Sequence, residues 1–292
     1  MAIPLQSLLS DHKRYQKSSQ LYDERSSENQ SMQDFINNLL PDILASTVIG
    51  KSHLNVISVG SGSGVQDLNL LSMLHLKNPV MEVHNEVVEP NPTQIHSFKD
   101  LVSQTPDLDY INFNWNSISA EEFEEQWKEN KMTKKFDIIH MFQVLYFVKD
   151  PEATISFFHS LLNKNGKLLI SLLPDGSSWG KLYDMCSNRL ILANHVDLTI
   201  DDVKSYLDLE GLSYETYILP RQVDITQCFI EGDENGDLVL DFLVHAIHFS
   251  KSVSSELKTE FMEFLRTECC DEANGKVLYN SDFEMIVIDK LK

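Results

Sequence analysis

The chain has 292 residues, 42% hydrophobic and 23% charged, an ordinary globular balance with material for one large domain or a core plus a small appendage. Its formal net charge is −20 and it has no basic run, which argues against nucleic acid or an anionic membrane as partner. The same charge would attract a small cationic substrate, or would simply keep the protein in solution.

Residues 1–27 are polar and weakly patterned, and predict a loose helix over Ser10–Leu21 followed by a turn. The first residues, Met1-Ala-Ile-Pro-Leu-Gln-Ser-Leu-Leu, lack a basic start and meet Asp11 too soon for a signal peptide. Met32, Phe35, Ile36, Leu39, Leu40, Ile43 and Leu44 then repeat at helical spacing. Pro41 falls inside that pattern, so a kink or two pieces are expected.

From residue 54 the rhythm alternates. Strands are predicted at Leu54–Val59, Val83–Val88, Tyr110–Trp115, Phe136–Phe142 and Lys167–Leu173. Helices lie between them at Val65–Leu76, Pro92–Val102, a charged segment with Phe123 and Trp127 on its buried face, and Pro151–Leu162. Runs such as Asp137-Ile-Ile-His-Met-Phe are almost continuously apolar, as buried parallel strands are. The expected class is therefore α/β, with a Rossmann-like, doubly wound, mostly parallel sheet. Beyond residue 175, helices are predicted near Trp179, at Ile200–Leu209, Leu238–His248 and Ser255–Glu268, with strands at Leu212–Leu219 and Phe283–Ile288. The late strand fits an antiparallel edge strand completing a seven-stranded sheet. A single domain over 1–292 is expected, with a cofactor-binding core at 45–220 and 279–290 and substrate-binding additions at 1–44 and 221–278. No apolar run approaches the length needed to span a bilayer. Cys186, Cys228, Cys269 and Cys270 form no C-x-x-C, and the adjacent pair is poorly placed for a bridge, so a reduced, cytoplasmic protein is expected.

The chemistry sits first in Gly60-Ser-Gly62-Ser-Gly64, at the end of the first strand, and in Glu89 at the end of the second. Glycines there let the backbone turn sharply and pass close to a ligand, and a carboxylate at that place accepts both hydroxyls of a ribose. The spacing is G-x-G-x-G, not the dinucleotide G-x-G-x-x-G, and no G-K-[ST] follows. A ribose acid without a phosphate clamp points to S-adenosylmethionine.

Ligands of open α/β sheets bind beyond the carboxyl ends of the strands. That edge gathers the glycines, then Glu89, Asn91 and Gln94, then Trp115 to Ala120, then Phe142, Gln143, Tyr146 and Phe147, and beyond the fifth strand Trp179 and Tyr183. It holds no Ser-His-Asp set, no Cys-His pair and no dense metal cluster. Methyl transfer suits it, because a sulfonium methyl needs an aligned lone pair and a dry pocket rather than a strong base. An amide such as Gln143 can orient the acceptor, and aromatic faces can hold a flat ring or a cation, although each aromatic alone could equally be core.

Three decoys are set aside. Asp233-Glu-Asn-Gly-Asp237 starts like a calcium loop but has Leu238 where glycine is needed and Val244 where glutamate is needed, so an acidic turn is expected. His245 and His248 lie three apart on the predicted helix without a third ligand. His140, mid-strand, is expected to be a hydrogen-bonded core histidine.

The segments Ser10-Asp-His12, Asn85-Glu-Val-Val-Glu89-Pro90, Phe136-Asp-Ile-Ile-His-Met141, Gln143-Val-Leu-Tyr146, Phe157-Phe-His-Ser-Leu-Leu162, Glu234-Asn-Gly-Asp-Leu238 and Gly275-Lys-Val-Leu-Tyr-Asn280 resemble the histamine N-methyltransferase family nearly end to end. The resemblance implies a cytoplasmic monomer that moves a methyl group from S-adenosylmethionine to a ring nitrogen of histamine, with no metal. By position it implies Gly60, Glu89 and Gln94 as cofactor residues, with Gly62, Gly64, Ala120 and Phe142 beside them. It implies Glu28 and Gln143 as substrate residues, Glu28 pairing with the ammonium and Gln143 with the imidazole. Tyr15, Tyr146, Phe147, Trp179, Tyr183 and Phe242 would form aromatic walls. The chain departs from the family at Ala120, where a serine is expected and Ser119 is adjacent, at Phe142, at Ser281 in place of an asparagine, and at Leu9, Ser19 and Tyr183. These departures fall mainly on the acceptor side. They leave open another small amine or imidazole acceptor, or a cofactor-binding protein without turnover. A dehydrogenase is disfavoured by the glycine spacing.

Overall fold

The computed structural model describes residues 3–187, 190–191 and 198–290. The fold divides into two compact units, one of Met32–Leu172, Leu198–Leu219 and Glu284–Lys292, the other of Met1–Ser31, Leu173–Asp197 and Pro220–Phe283.

The first unit is built on a seven-stranded sheet. Its strands are β1 (His53–Val59), β2 (Glu82–Val88), β3 (Ile111–Asn116), β4 (Phe136–Phe142), β5 (Leu162–Leu172), β6 (Tyr214–Leu219) and β7 (Phe283–Asp289). They lie in the order β3-β2-β1-β4-β5-β7-β6. β1 to β5 pair in parallel, and β7 runs antiparallel to β5 from Glu284 opposite Leu172 to Asp289 opposite Lys167. The antiparallel strand is thus one place in from the edge, which β6 forms. The switch in strand order falls between β1 and β4, so the loops after these strands open at one end of the sheet.

The connecting helices begin where their caps dictate. Asn91 accepts the Thr93 N–H at 2.9 Å ahead of Pro92, and Asp150 accepts the Ala153 N–H at 2.9 Å ahead of Pro151. Ser119 and Glu122 form a reciprocal capping box on Ala120–Glu129. That helix buries Phe123 and Trp127, the latter against Phe136 with ring centroids 5.6 Å apart. β5 starts earlier than the sequence suggests. Asn165, with φ 64°, and Gly166 form a bulge inside it, and the pairing jumps from Leu162 opposite Phe136 to Lys167 opposite Ile138. The helical stretch over 32–44 is broken near Pro41, as the expected kink or division into two pieces requires. A π-helical turn, Phe35–Leu39, precedes the short helix Leu40–Ile43, because Pro41 has no N–H to continue the ladder.

The second unit packs helices His12–Arg25, Ser178–Ser187, Glu234–Val244 and Ser255–Glu268 with a three-stranded sheet in the order Cys270–Ala273, Lys276–Asn280, Gln222–Asp224. Two of these strands form a hairpin through Asn274 and Gly275, both at positive φ, a sequence signal for a tight hairpin that the strand expectations above did not use. Tyr22, Val239, Leu243, Phe249, Phe261 and Tyr279 form its core.

Two expectations are corrected here. Helix Glu234–Val244 ends before His245, and His245 and His248 both take left-handed φ of 52° instead of sharing a helical face. Asp241 explains the turn. Its buried carboxylate accepts the His248 and Phe249 N–H groups, each at 2.8 Å, and is paired with Arg14 Nε at 2.6 Å. The acidic turn at 233–237 is the N-terminus of this helix, with Asp233 accepting the Gly236 N–H at 2.8 Å.

Candidate cofactor and acceptor sites

In the sheet unit, the loop after β1 is held by its neighbours as well as by its own conformation. Gly60 donates to Val88 O at 2.7 Å. Gly60, Gly62 and Gly64 have φ of 65°, 53° and 81°. A Cβ on Gly60 would lie 2.3 Å from Val144 Cγ2, and one on Gly64 2.0 Å from the Phe98 ring. A Cβ on Gly62 would meet nothing within 4 Å. The outer glycines are therefore required by packing, while Gly62 borders open space.

Glu89, 7% exposed, follows β2 and faces this loop. Its Oε2 accepts the Gly62 N–H at 3.0 Å and its Oε1 the Asn91 N–H at 2.8 Å. Each oxygen keeps a lone pair for a further donor. A glutamate side chain with acceptor capacity beside an open glycine fits an adenosyl ligand with a ribose diol, and nothing in the loop offers a phosphate clamp. Gln94 lies exposed in the first turn of Pro92–Gln104. Ala120 is buried in the core. The adjacent Ser119 accepts the Glu122 N–H in the capping box of this helix.

Gln143 follows β4 with φ 58°, an uncommon and strained conformation for glutamine. Its backbone N–H donates to Ser171 O at 3.1 Å and its Nε2 to Ser171 Oγ at 3.4 Å, which leaves Oε1 as the atom available to accept. Phe142 stacks on His140 at 4.6 Å. Tyr146 packs on the core and meets Phe147 edge-on, and Phe147 is 84% exposed. His140 is not the hydrogen-bonded histidine expected. Neither ring nitrogen has a hydrogen-bond partner, Asp67 stands 3.5 Å away, and burial lowers the imidazole's pKa so that it stays neutral.

The second unit gathers the other set. Tyr15, Trp179 and Phe242 come together as the sequence suggests, around Tyr22, whose ring lies 4.7 Å from Phe242 and 6.0 Å from Trp179. Tyr279 closes on Trp179 edge-on at 5.8 Å. The side chain of Tyr183 lies outside the described residues. Ser281 is fully buried and is a hub. Its Oγ meets Tyr22 Oη at 3.0 Å, Trp179 Nε1 at 2.9 Å and Arg221 Nη2. These three groups surround its hydroxyl at the position where the family resemblance places a substrate residue.

Glu28 is not an unpartnered carboxylate either. Its Oε2 pairs with Nη1 of Arg221, which also donates from Nε to Ser281 O at 2.7 Å and lies 3.7 Å over the Phe283 ring. Asp23, exposed nearby, is pushed up to about 6 by desolvation first and then by Glu28, with Arg221 opposing. Burial, first of all, also raises the Tyr22 and Tyr279 phenols. Tyr22, Asp23, Arg221 and Tyr279 were not singled out from sequence. Tyr22 could have been, since Tyr15, Ser18 and Tyr22 share one helical face. Arg221, a single residue after Pro220, carries no motif.

Among the described residues no group of His, Cys, Asp or Glu could hold a metal ion, and no helix is long and apolar enough to cross a membrane. Cys228, Cys269 and Cys270 are unpaired, and burial pushes their thiols up, to about 11 for Cys269.

A family model described as a methyltransferase domain matches residues 24–213. A histamine N-methyltransferase of Danio rerio is 50% identical over 99% of this chain and 100% of its own length. A carnosine N-methyltransferase 2 of Gallus gallus is 38% identical over 94% of this chain and 86% of its own length. Among solved structures, a plantazolicin methyltransferase in complex with SAH shares the fold, with a TM-score of 0.50 at 13% identity, covering 97% of this chain and 93% of that one. With a parallel sheet that ends in the glycine loop and Glu89, and with likeness along nearly its whole length, the chain belongs to the histamine N-methyltransferase family.

Proposed function

We propose that this protein is an S-adenosylmethionine-dependent N-methyltransferase acting on an imidazole ring nitrogen of histamine. The observation that carries the reading is Glu89 seated against Gly62 at the carboxyl end of the parallel strands. When bound, S-adenosylmethionine supplies a methyl group already activated on a sulfonium. Gly62, with open space beside its Cα, admits the ligand, and the Glu89 carboxylate binds the ribose hydroxyls. Gln94, and the backbone at Ala120 and Phe142, belong to the same side of the assignment.

Gln143 is assigned to the acceptor. With Nε2 directed at Ser171, Oε1 accepts a ring N–H and so fixes the tautomer, which leaves the other ring nitrogen with its lone pair. Glu28, with Asp23, binds the ammonium, and Tyr15, Trp179 and Phe242 supply apolar and cation-binding faces, with Tyr146, Phe147 and Tyr183 as further wall residues. No residue is assigned as general base, because an imidazole nitrogen is already nucleophilic when neutral, and the proton remaining on the methylated, now cationic ring is lost to solvent. The reading extends to a cytoplasmic monomer.

Transfer of radiolabelled methyl to histamine tests the reading. Labelled methylhistamine is expected. Cofactor binding without transfer to any amine or imidazole compound would replace it with a binding protein. The buried Arg221 beside Glu28 favours a second reading, an imidazole acceptor that is more than a monoamine.

A further inference from the structure

Arg221 has no part in the assignment above, yet it is the most buried cation beside Glu28, with its side chain 6% exposed. A guanidinium has five N–H donors. Nε and Nη2 donate to the backbone and hydroxyl oxygens of Ser281, and Nη1 donates to Glu28. Two N–H groups keep no protein partner among the described residues. The ring of Phe283, 3.7 Å below, and the two Ser281 contacts fix the plane, so these donors are already oriented. Glu28, with 30% of its side chain exposed, and Asp23, exposed, stand nearer solvent than the guanidinium.

A site evolved only for a monoamine has no use for this arrangement. Arg221 partly neutralises Glu28 and repels an incoming ammonium. If the role were only to hold Glu28, a neutral donor would suffice, without the desolvation penalty of a buried guanidinium. A ligand carrying both charges gains on both sides. Its ammonium meets Glu28 and Asp23, and its carboxylate accepts charge-assisted hydrogen bonds from the open N–H groups of Arg221. Ser281 permits this by gripping one edge of the guanidinium with two acceptors and holding it still.

We propose that Arg221 is a specificity-determining residue that receives a carboxylate of the acceptor, so that the acceptor class is zwitterionic imidazole compounds of the histidine type and not monoamines alone. The proposal rests on the methyl-transfer reading above.

Histidine and histamine are a matched pair that differ by one carboxylate. Their binding to the cofactor-loaded protein is measured by calorimetry for wild type, Arg221→Met and Arg221→Lys, together with a dipeptide ending in histidine. In Arg221→Met the carboxylated ligands are expected to weaken about 10–100-fold, as for loss of a charge-assisted pair, while histamine is unchanged or tighter. Arg221→Lys, which keeps the charge without the fork, is expected between the two. Should Arg221→Met fail to fold by circular dichroism, Arg221→Gln, which keeps Glu28 and an N–H donor toward Ser281, is used for the same comparison. Equal loss for both ligand types, or no binding of a carboxylated ligand by wild type, overturns the proposal. Methyl transfer is followed in parallel. Selective loss of carboxylated-ligand binding without turnover sustains the Arg221 assignment and refutes the transferase reading. Turnover of histamine with no dependence on Arg221 does the reverse.

Discussion

Glu89 and Gly62 are joined by a hydrogen bond from the glycine N–H to Oε2 at 3.0 Å, so the carboxylate that would bind the ribose also shapes the loop beneath it. Glu89→Gln keeps the size but replaces one acceptor oxygen with a donor that faces an N–H. Cofactor affinity is expected to fall about 10–100-fold, the worth of a charge-assisted hydrogen bond. Calorimetric titration with S-adenosylmethionine reads this directly, and an unchanged affinity would remove Glu89 from the cofactor site.

The three glycines differ in what alanine does to them. Gly64→Ala drives a Cβ into the Phe98 ring and adds left-handed strain, so it is expected to destabilise by about 2–4 kcal/mol. Gly62→Ala meets no protein atom and is expected to lose only about 1–2 kcal/mol through strain, yet to weaken the cofactor strongly because its methyl enters the ligand's space. Urea unfolding and cofactor titration on both variants separate the two effects.

Gln143 combines a strained backbone with the proposed acceptor-orienting amide. Gln143→Gly relieves the left-handed conformation and is expected to change stability favourably by about 1 kcal/mol, while turnover of acceptor falls about 100-fold and cofactor affinity stays as in wild type. Loss of stability in this variant would show that the side chain serves the fold instead.

Asp23 supplies a pH dependence. Its carboxyl is raised from the ordinary 3.8 to about 6 in the folded protein, so the native state holds this proton more tightly than the unfolded chain. The favourable contribution is complete below about 4 and is lost as pH rises through about 6. Asp23→Asn is therefore expected to flatten the fall in urea midpoint between these values. Binding of a cationic amine to wild type is expected to strengthen over the same interval, as Asp23 ionises beside Glu28. A midpoint profile identical in wild type and variant would contradict the assignment.

Asp241 holds the chain reversal at His245 and His248 from full burial. Asp241→Ala leaves Arg14 and two backbone N–H groups without their acceptor and is expected to destabilise by about 3–5 kcal/mol, as for a broken buried ion pair. Chemical denaturation checks the figure. No direct loss of cofactor affinity should accompany it, since Asp241 lies in the unit that lacks the glycine loop.

The parallel sheet and the glycine loop proposed to hold the cofactor were legible from the sequence. β4 was legible to the residue because a buried parallel strand is nearly all apolar. The glycines and Glu89 were legible because each ends a strand, where the next turn of chain must face the ligand end of the sheet. Breaks such as the π turn before Pro41 and the bulge at Asn165-Gly166 were marked in the residues, but their form was not, because neighbouring strands and helices choose among local alternatives of similar energy. The surroundings of the proposed acceptor residues come from the tertiary structure alone. Tyr22 and Ser281 are 259 positions apart, and Glu28 and Arg221 are 193 apart. No periodicity links such positions. Whether Glu28 stands open or is paired, and whether Ser281 meets ligand or protein, depends on which side chains the fold brings within hydrogen-bond reach.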